Sequence, residues 1–298
     1  MTRRELLWSG AGLRLAPPQA KPPAPRIRVR HTAGEAVSFY SGERLLFTYR
    51  YAASRPKPYV HPFCAPDGTP LTIDSPPDHV HHRGLMLAWS NVAGFDFWGE
   101  TNPGAHGQIV HQRFERAPSP AGLAAVNHWV AEGKTLVEER QRVRPLHLGS
   151  DVAALEWESA LRAAAEPVTL DASKHVYNGL GIRFVRSMDL GGVLNSRGTR
   201  TIEQANGEEA SWCCYYGALE DQRTAAVAIL NHPSNPRHPA PFFVMNKAFG
   251  YLAAAPTFRE PFRLALDRPL TLRWAVVSFL GEPSAQRIDE LFRTWSKP

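Results

Sequence analysis

From residue 26 onward the chain alternates apolar and polar positions with a period of two, the pattern of strands that bury one face. Residues 26–31, 36–40 and 44–51 read as an opening meander, with Gly34 and Ser41-Gly42 at the turns. Residues 108–116, 123–131, 135–143 and 154–164 follow, separated by turn residues around 118–122, 132–133 and 149–150. Residues 180–186, 225–230 and 270–280 are further strands. One helix is predicted over 284–295. Ile288, Leu291, Phe292 and Trp295 fall at helical spacing there, and Ser284 stands at the N-cap position. Many antiparallel strands and one terminal helix define an all-β chain, a large antiparallel β-sandwich with one C-terminal helix.

Composition narrows the class. With 298 residues, 43% hydrophobic and 21% charged, the chain has material for a sizeable core. It contains no run of about 18 or more apolar residues, so no transmembrane segment is expected. The net charge of +6 is local: residues 1–30 hold seven basic groups and one acid, and the remainder is balanced. A nucleic-acid-binding face is therefore not expected. Residues 1–25 read as a tail and residues 26–298 as a single β-sandwich domain. Thr2-Arg3-Arg4-Glu5-Leu6-Leu7 resembles a twin-arginine signal for export to the periplasm, weakened by Arg14 in its apolar stretch. The alternative is a disordered, Pro-rich basic tail on a cytoplasmic protein. Cys64, Cys213 and Cys214 are too few for a disulfide framework; in a strand, the last two would point to opposite faces.

The densest chemistry lies between residues 55 and 100. Asp78-His79-Val80-His81-His82-Arg83-Gly84 packs a carboxylate, three imidazoles and a guanidinium together, flanked by His61, Asp67, Asp74, Asp96, Trp98 and Glu100. In an extended segment His79 and His81 share a face, with His82 on the other. Such a pair can hold a divalent metal with a third ligand from elsewhere, move protons or bind a ligand's hydroxyls, or serve structure by pairing with nearby acids. A second polar loop is Asn231-His232-Pro233-Ser234-Asn235-Pro236-Arg237-His238-Pro239, stiffened by three prolines. It either presents side chains to a ligand or merely satisfies its own backbone. Trp212, Tyr215 and Tyr216 either line a cleft or fill the core, and Trp89 and Trp98 carry the same two readings.

The run H-P-x-x-x-P-D-G-T-P-L-T-x-D-S-P-x-D-H-x-H-H-R-G-L-x-x-A-W, then D-F-W-G-E, then H-P-S-N-P-R-H-P, resembles the PmoA-like family of soluble bacterial proteins. The resemblance covers nearly everything after about residue 50. The family is often labelled methane oxygenase, but particulate methane monooxygenase subunits span membranes and this chain has no such segment. The resemblance implies a supersandwich similar to galactose mutarotase and an association with sugar catabolism. The positions it carries over are His61, Asp78, His79, His81, His82, Arg83, Trp98, Glu100, Trp212, His232, Asn235, Arg237 and His238. Many relatives have an acid where this chain has Cys214, which calls into question any activity resting on that acid.

The expectation is a carbohydrate-active protein with a His-rich cleft. His79, His81, His232, His238, Asp78 and Glu100 are the catalytic candidates. His61, His82, Arg83, Trp98, Trp212, Asn235 and Arg237 are the substrate-binding ones. Ring opening at an anomeric carbon needs an acid and a base on opposite sides of the sugar; glycoside cleavage needs two carboxylates, for which Asp78 and Glu100 are the nearest pair. The alternatives are a sugar-binding protein without catalysis and a metal-dependent enzyme using His79 and His81. The 78–83 and 232–238 segments are expected to line one pocket.

Overall fold

Two antiparallel sheets lie face to face in the computed structural model, which describes residues 26–100, 105–171 and 175–297. The tail expected at residues 1–25 lies outside the described residues. The first sheet has nine strands in the spatial order β1 (Ile27–Thr32), β2 (Ala36–Ser41), β3 (Arg44–Arg50), β4 (Tyr59–Phe63), β5 (Leu85–Ala88), β12 (Gly179–Arg183), β18 (Tyr251–Ala254), β17 (Ala240–Met245) and β14 (Glu209–Ala210). The second has eight: β13 (Gly192–Asn195), β15 (Trp212–Ala218), β16 (Thr224–Asn231), β20 (Leu270–Leu280), β10 (Ala153–Ala163), β9 (Lys134–Leu146), β8 (Gly122–Ala131) and β7 (Gln108–Ser119). A small third sheet joins β19 (Phe262–Leu264), β11 (Val168–Asp171) and β6 (Asn91–Val92).

The predicted C-terminal helix is present as α2 (Ala285–Trp295), with the Ser284 hydroxyl accepting from the Arg287 amide as an N-cap. A second helix, α1 (Ile202–Ala205), stands between β13 and β14. It is a single turn, too short to show a helical period in sequence.

Strand alternation sorts the side chains into three apolar layers. Between the sheets lie Leu85 and Leu87 of β5, Leu180 and Ile182 of β12, Cys213 and Tyr215 of β15, and Trp274 and Val276 of β20. On the outer face of the eight-stranded sheet, Trp212, Cys214, Leu230, Ala275 and Val277 pack under Ile288, Leu291 and Trp295 of α2. The outer face of the nine-stranded sheet carries Tyr59, Met86, Trp98, Phe249 and Tyr251. Cys213 and Cys214 do point to opposite faces, as a strand requires.

The layer between the sheets also encloses polar groups. Glu139 is fully buried; its carboxylate accepts from Asn127, from the Trp129 indole at 3.2 Å and from the Ser159 hydroxyl. Asn127 also reaches Gln141, which accepts from the Tyr49 hydroxyl of the facing sheet.

Candidate functional site

The densest polar and aromatic cluster sits on the outer face of the nine-stranded sheet. Tyr59 and His61 of β4, Gly181 and Arg183 of β12, and Tyr251 of β18 present themselves there by alternation. Gly181 is required by packing, because a Cβ would stand 1.8 Å from the Tyr251 hydroxyl and 3.3 Å from the Trp98 ring.

A loop folds over this floor. Its neck is the bridge between Asp74 and Arg83, closed by Ser75 N donating to His82 O at 2.8 Å and Gly84 N to Ile73 O at 3.1 Å. Ser75 and Gly84 have φ of 54° and 66°, and a Cβ on Gly84 would meet Val60 O at 2.5 Å. Within the loop, His79 N donates to Pro76 O and His82 N to His79 O, two successive turns. This corrects the expectation of an extended segment with His79 and His81 on one face. His79 instead stacks on His82 at 4.8 Å and 19°, while His81 meets His82 edge-on at 4.7 Å. Prolines at 76 and 77 set the turns that a reading by two-residue period passes over. His79 is further tied to Asp78 at 3.1 Å, and no group of three metal-ligating side chains forms among the described residues.

Around the loop runs a chain of ion pairs. Lys57 is buried and donates to Trp98 O at 2.8 Å and to Glu100 at 2.9 Å. Arg83 takes both oxygens of Glu100, with Nε 3.1 Å from each, and reaches Asp74 at 3.4 Å. The Tyr59 hydroxyl donates to Asp74 at 2.8 Å. On the far side, Asp78 accepts from Arg183 and Arg186, each at 3.1 Å. His61 pairs with the Thr72 hydroxyl at 3.0 Å.

These surroundings set the charges. Burial alone would raise Glu100, but hydrogen bonds from Arg83 and the charge of Lys57 outweigh it and hold the carboxyl ionised. Asp78 is likewise lowered despite burial, by His79 and Arg183. Neither carboxyl is kept protonated, as the general acid of glycoside cleavage must be. Burial, then the Lys57 charge, lowers His81 to about 4, and burial with the neighbouring imidazoles lowers His82 to about 2. Both rings are neutral near pH 7. Burial also pushes Lys57 down from the usual lysine range.

Beneath the loop, several buried polar atoms have no hydrogen-bond partner: His82 Nδ1, Trp98 Nε1, the Tyr251 hydroxyl, and Nε and Nη1 of Arg183. Their rings form one aromatic group. Trp98 lies 4.7 Å from Tyr177 and 6.0 Å from Tyr251, and Tyr251 lies 5.3 Å from His82. The Arg183 guanidinium rests 4.1 Å from the Phe249 ring.

The 232–238 loop lies elsewhere, which corrects the expectation of one pocket. It packs against α2 on the outer face of the opposite sheet. His232 meets the Trp295 ring at 5.0 Å and His238 the Phe292 ring at 6.3 Å. Asn235 donates to Arg273 O and accepts from Arg273 N, both at 2.7 Å, so it completes the edge of β20. The Arg237 guanidinium is spent on the carbonyls of Pro256, Glu260 and Pro261. Trp212 is also on the α2 side, donating to Asp289 at 2.7 Å. Cys214 lies in the same layer, so an acid at this position would face α2 and not the His-rich loop. The structure thus brings together His61, Asp78, His79, His81, His82, Arg83, Trp98 and Glu100, and separates Trp212, His232, Asn235, Arg237 and His238 from them.

Lys57, Tyr59, Tyr177, Arg183, Phe249 and Tyr251 join the cluster without having stood out in the sequence. Arg183 leaves one trace, a lone charge inside the apolar run Gly179-Leu180-Gly181-Ile182-Arg183-Phe184-Val185. A groove of about 610 Å3 crosses the eight-stranded sheet away from α2, and several of its charges are paired with one another, Arg142 with Glu158 and Arg162 with Glu138.

The chain belongs to a family of unknown function, DUF6807, which it matches over residues 36–293. No curated protein matches it. Among solved structures, it is similar to YeaD of Salmonella typhimurium, a provisionally assigned mutarotase in a monoclinic crystal form. The identity is 6% and the TM-score 0.34, over 89% of this chain and 96% of that one. A likeness this shallow says nothing of what this chain binds, and the methane-oxygenase label finds no support in these comparisons. No helix among the described residues is long and apolar enough to cross a membrane.

Proposed function

We propose that the protein binds a sugar on the outer face of the nine-stranded sheet, under the 75–82 loop, and that His81 transfers a proton to or from it. The observation that carries this reading is the set of unpartnered donors and acceptors among the aromatic rings of His82, Trp98 and Tyr251. A buried polar atom without a partner costs about 1–3 kcal/mol. Hydroxyls of a sugar would satisfy such atoms while the ring's C–H face stacks on an indole or phenol. His81 is half-buried and neutral, the state a base needs to take the proton from an anomeric hydroxyl. Burial, and then the charge of Lys57, which donates to Glu100 nearby, keep it so.

One observation favours a second reading, binding without catalysis: Asp78 and Glu100 are both held ionised by partners, so neither of these two candidates stands ready to protonate a leaving group. Proton NMR of anomeric exchange and thermal shift, run on aldoses, keto-sugars and aryl glycosides, separate the two. Catalysis predicts turnover that falls below an apparent pKa of about 4, as His81 is protonated, and a loss of about 10²–10⁴-fold in His81→Ala. Saturable binding without turnover selects the second reading, and no binding by any sugar refutes both.

A further inference from the structure

One buried guanidinium of the site carries hydrogen-bond donors that no internal partner takes. Arg183 is buried to 1% exposure, yet only its Nη2 has a hydrogen-bond partner, Asp78 at 3.1 Å; Nε and Nη1 have none. Asp189 forms an ion pair with Nη1 at 3.6 Å, too long for a hydrogen bond. Nε–H and Nη2–H lie on one edge of a guanidinium, the edge that a carboxylate takes with both oxygens. Asp78 occupies half of that edge. Its other oxygen goes to Arg186, and its side chain is 34% exposed. The carboxylate comes from the tip of the 75–82 loop, whose neck carries positive φ at Ser75 and Gly84. Asp78 is therefore a partial and replaceable occupant of a buried cation, beside the aromatic floor of Trp98, Tyr177 and Tyr251.

Resting on the sugar-binding reading above, we infer that the sugar is an acidic one, whose carboxylate takes the Nε/Nη2 edge of Arg183 in place of Asp78. The exchange is charge-neutral at the arginine. It gives Nε the partner it lacks, and it releases Asp78 to solvent with Arg186 still beside it. Lifting the loop tip also uncovers the unpartnered Trp98 and Tyr251 atoms for the ring hydroxyls. A phosphate would use the same edge, so the shared chemistry is an anionic substituent; the planar group now on Arg183 favours the carboxylate.

Isothermal titration at low ionic strength tests this with galacturonate and glucuronate, their neutral parents galactose and glucose, and glucose 6-phosphate. At least one uronate should bind tenfold or more tightly than its parent sugar. Asp78→Asn, an exposed position, should tighten uronate binding severalfold, and by a larger factor than it changes binding of the neutral sugars. Arg183→Lys, shown to be folded by its circular dichroism, should bring the acid-to-neutral ratio toward one. Equal affinity for acid and parent overturns this inference and leaves the sugar reading standing; no binding by any of the five overturns both. Tighter binding of the phosphate than of either uronate overturns the carboxylate assignment. Weaker uronate binding by Asp78→Asn would make Asp78 a ligand group and overturn its replacement.

Discussion

Glu100→Gln is the substitution that most directly tests the ion-pair chain under the loop. Among the described residues Glu100 is the one carboxylate that receives Lys57, whose side chain is 1% exposed, and it accepts from Arg83 through both oxygens. The amide keeps the shape but removes the charge and turns an NH2 toward a donor. Breaking a buried pair in this way costs about 3–5 kcal/mol. Lys57 has one escape, to shed its proton. At about 1.36 kcal/mol per pH unit, descending from a lysine's ordinary pKa of about 10.4 to pH 7 costs roughly 4.6 kcal/mol, which caps its share of the loss. At pH 9.5 the same cap falls to roughly 1.2 kcal/mol. The sign follows from proton binding. A lysine with a lowered pKa in the fold carries fewer protons there than in the unfolded chain, so stability climbs with pH toward the unfolded pKa. Removing Glu100 lowers that pKa further and steepens the climb. Urea denaturation of both proteins at pH 7 and pH 9.5 should give a deficit of about 3–5 kcal/mol at the lower pH, shrinking to about 1–2 at the higher. A deficit below about 1 kcal/mol at pH 7, or one that does not shrink, would refute the buried charged pair.

Gly181→Ala should destabilise by about 1–3 kcal/mol, since its Cβ would collide with the Tyr251 ring, and should weaken sugar binding as Tyr251 and Trp98 shift; unchanged melting and binding would refute this packing. Trp212→Phe removes the bond to Asp289 and should cost about 1–2 kcal/mol. Hydrogen exchange should quicken across α2 while ligand affinity stays the same, and a loss of affinity would return Trp212 to the site.

How far the sequence speaks depends on which face a strand shows to water. β2, β9 and β20 each have a wet side or a long alternating run, and their positions follow from period two to within a few residues. β5 and β18, Leu-Met-Leu-Ala and Tyr-Leu-Ala-Ala, are buried on both faces and have no alternation to detect. β18 is one of the strands that build the floor of the candidate site, so Tyr251 stayed hidden with it. Local density did find the 78–100 cluster, because a loop of short polar residues keeps its chemistry close in sequence. The same signal misplaced Trp212 and the 232–238 loop. Docking a helix on a sheet also demands histidines, asparagines and an indole with satisfied partners, and composition cannot tell that demand from a ligand's.

The polar group sealed between the sheets bears on how the sandwich finds its register. Two oily sheets can slide over one another with little change in buried area. Glu139, Asn127 and Gln141 allow no such freedom, because a shift by one residue pair would strand a buried carboxyl and pull Gln141 away from the Tyr49 hydroxyl opposite. Tyr49 belongs to β3 and the other three to β8 and β9, so this contact fixes one sheet against the other, and with it where the His-rich loop stands relative to α2 on the far side.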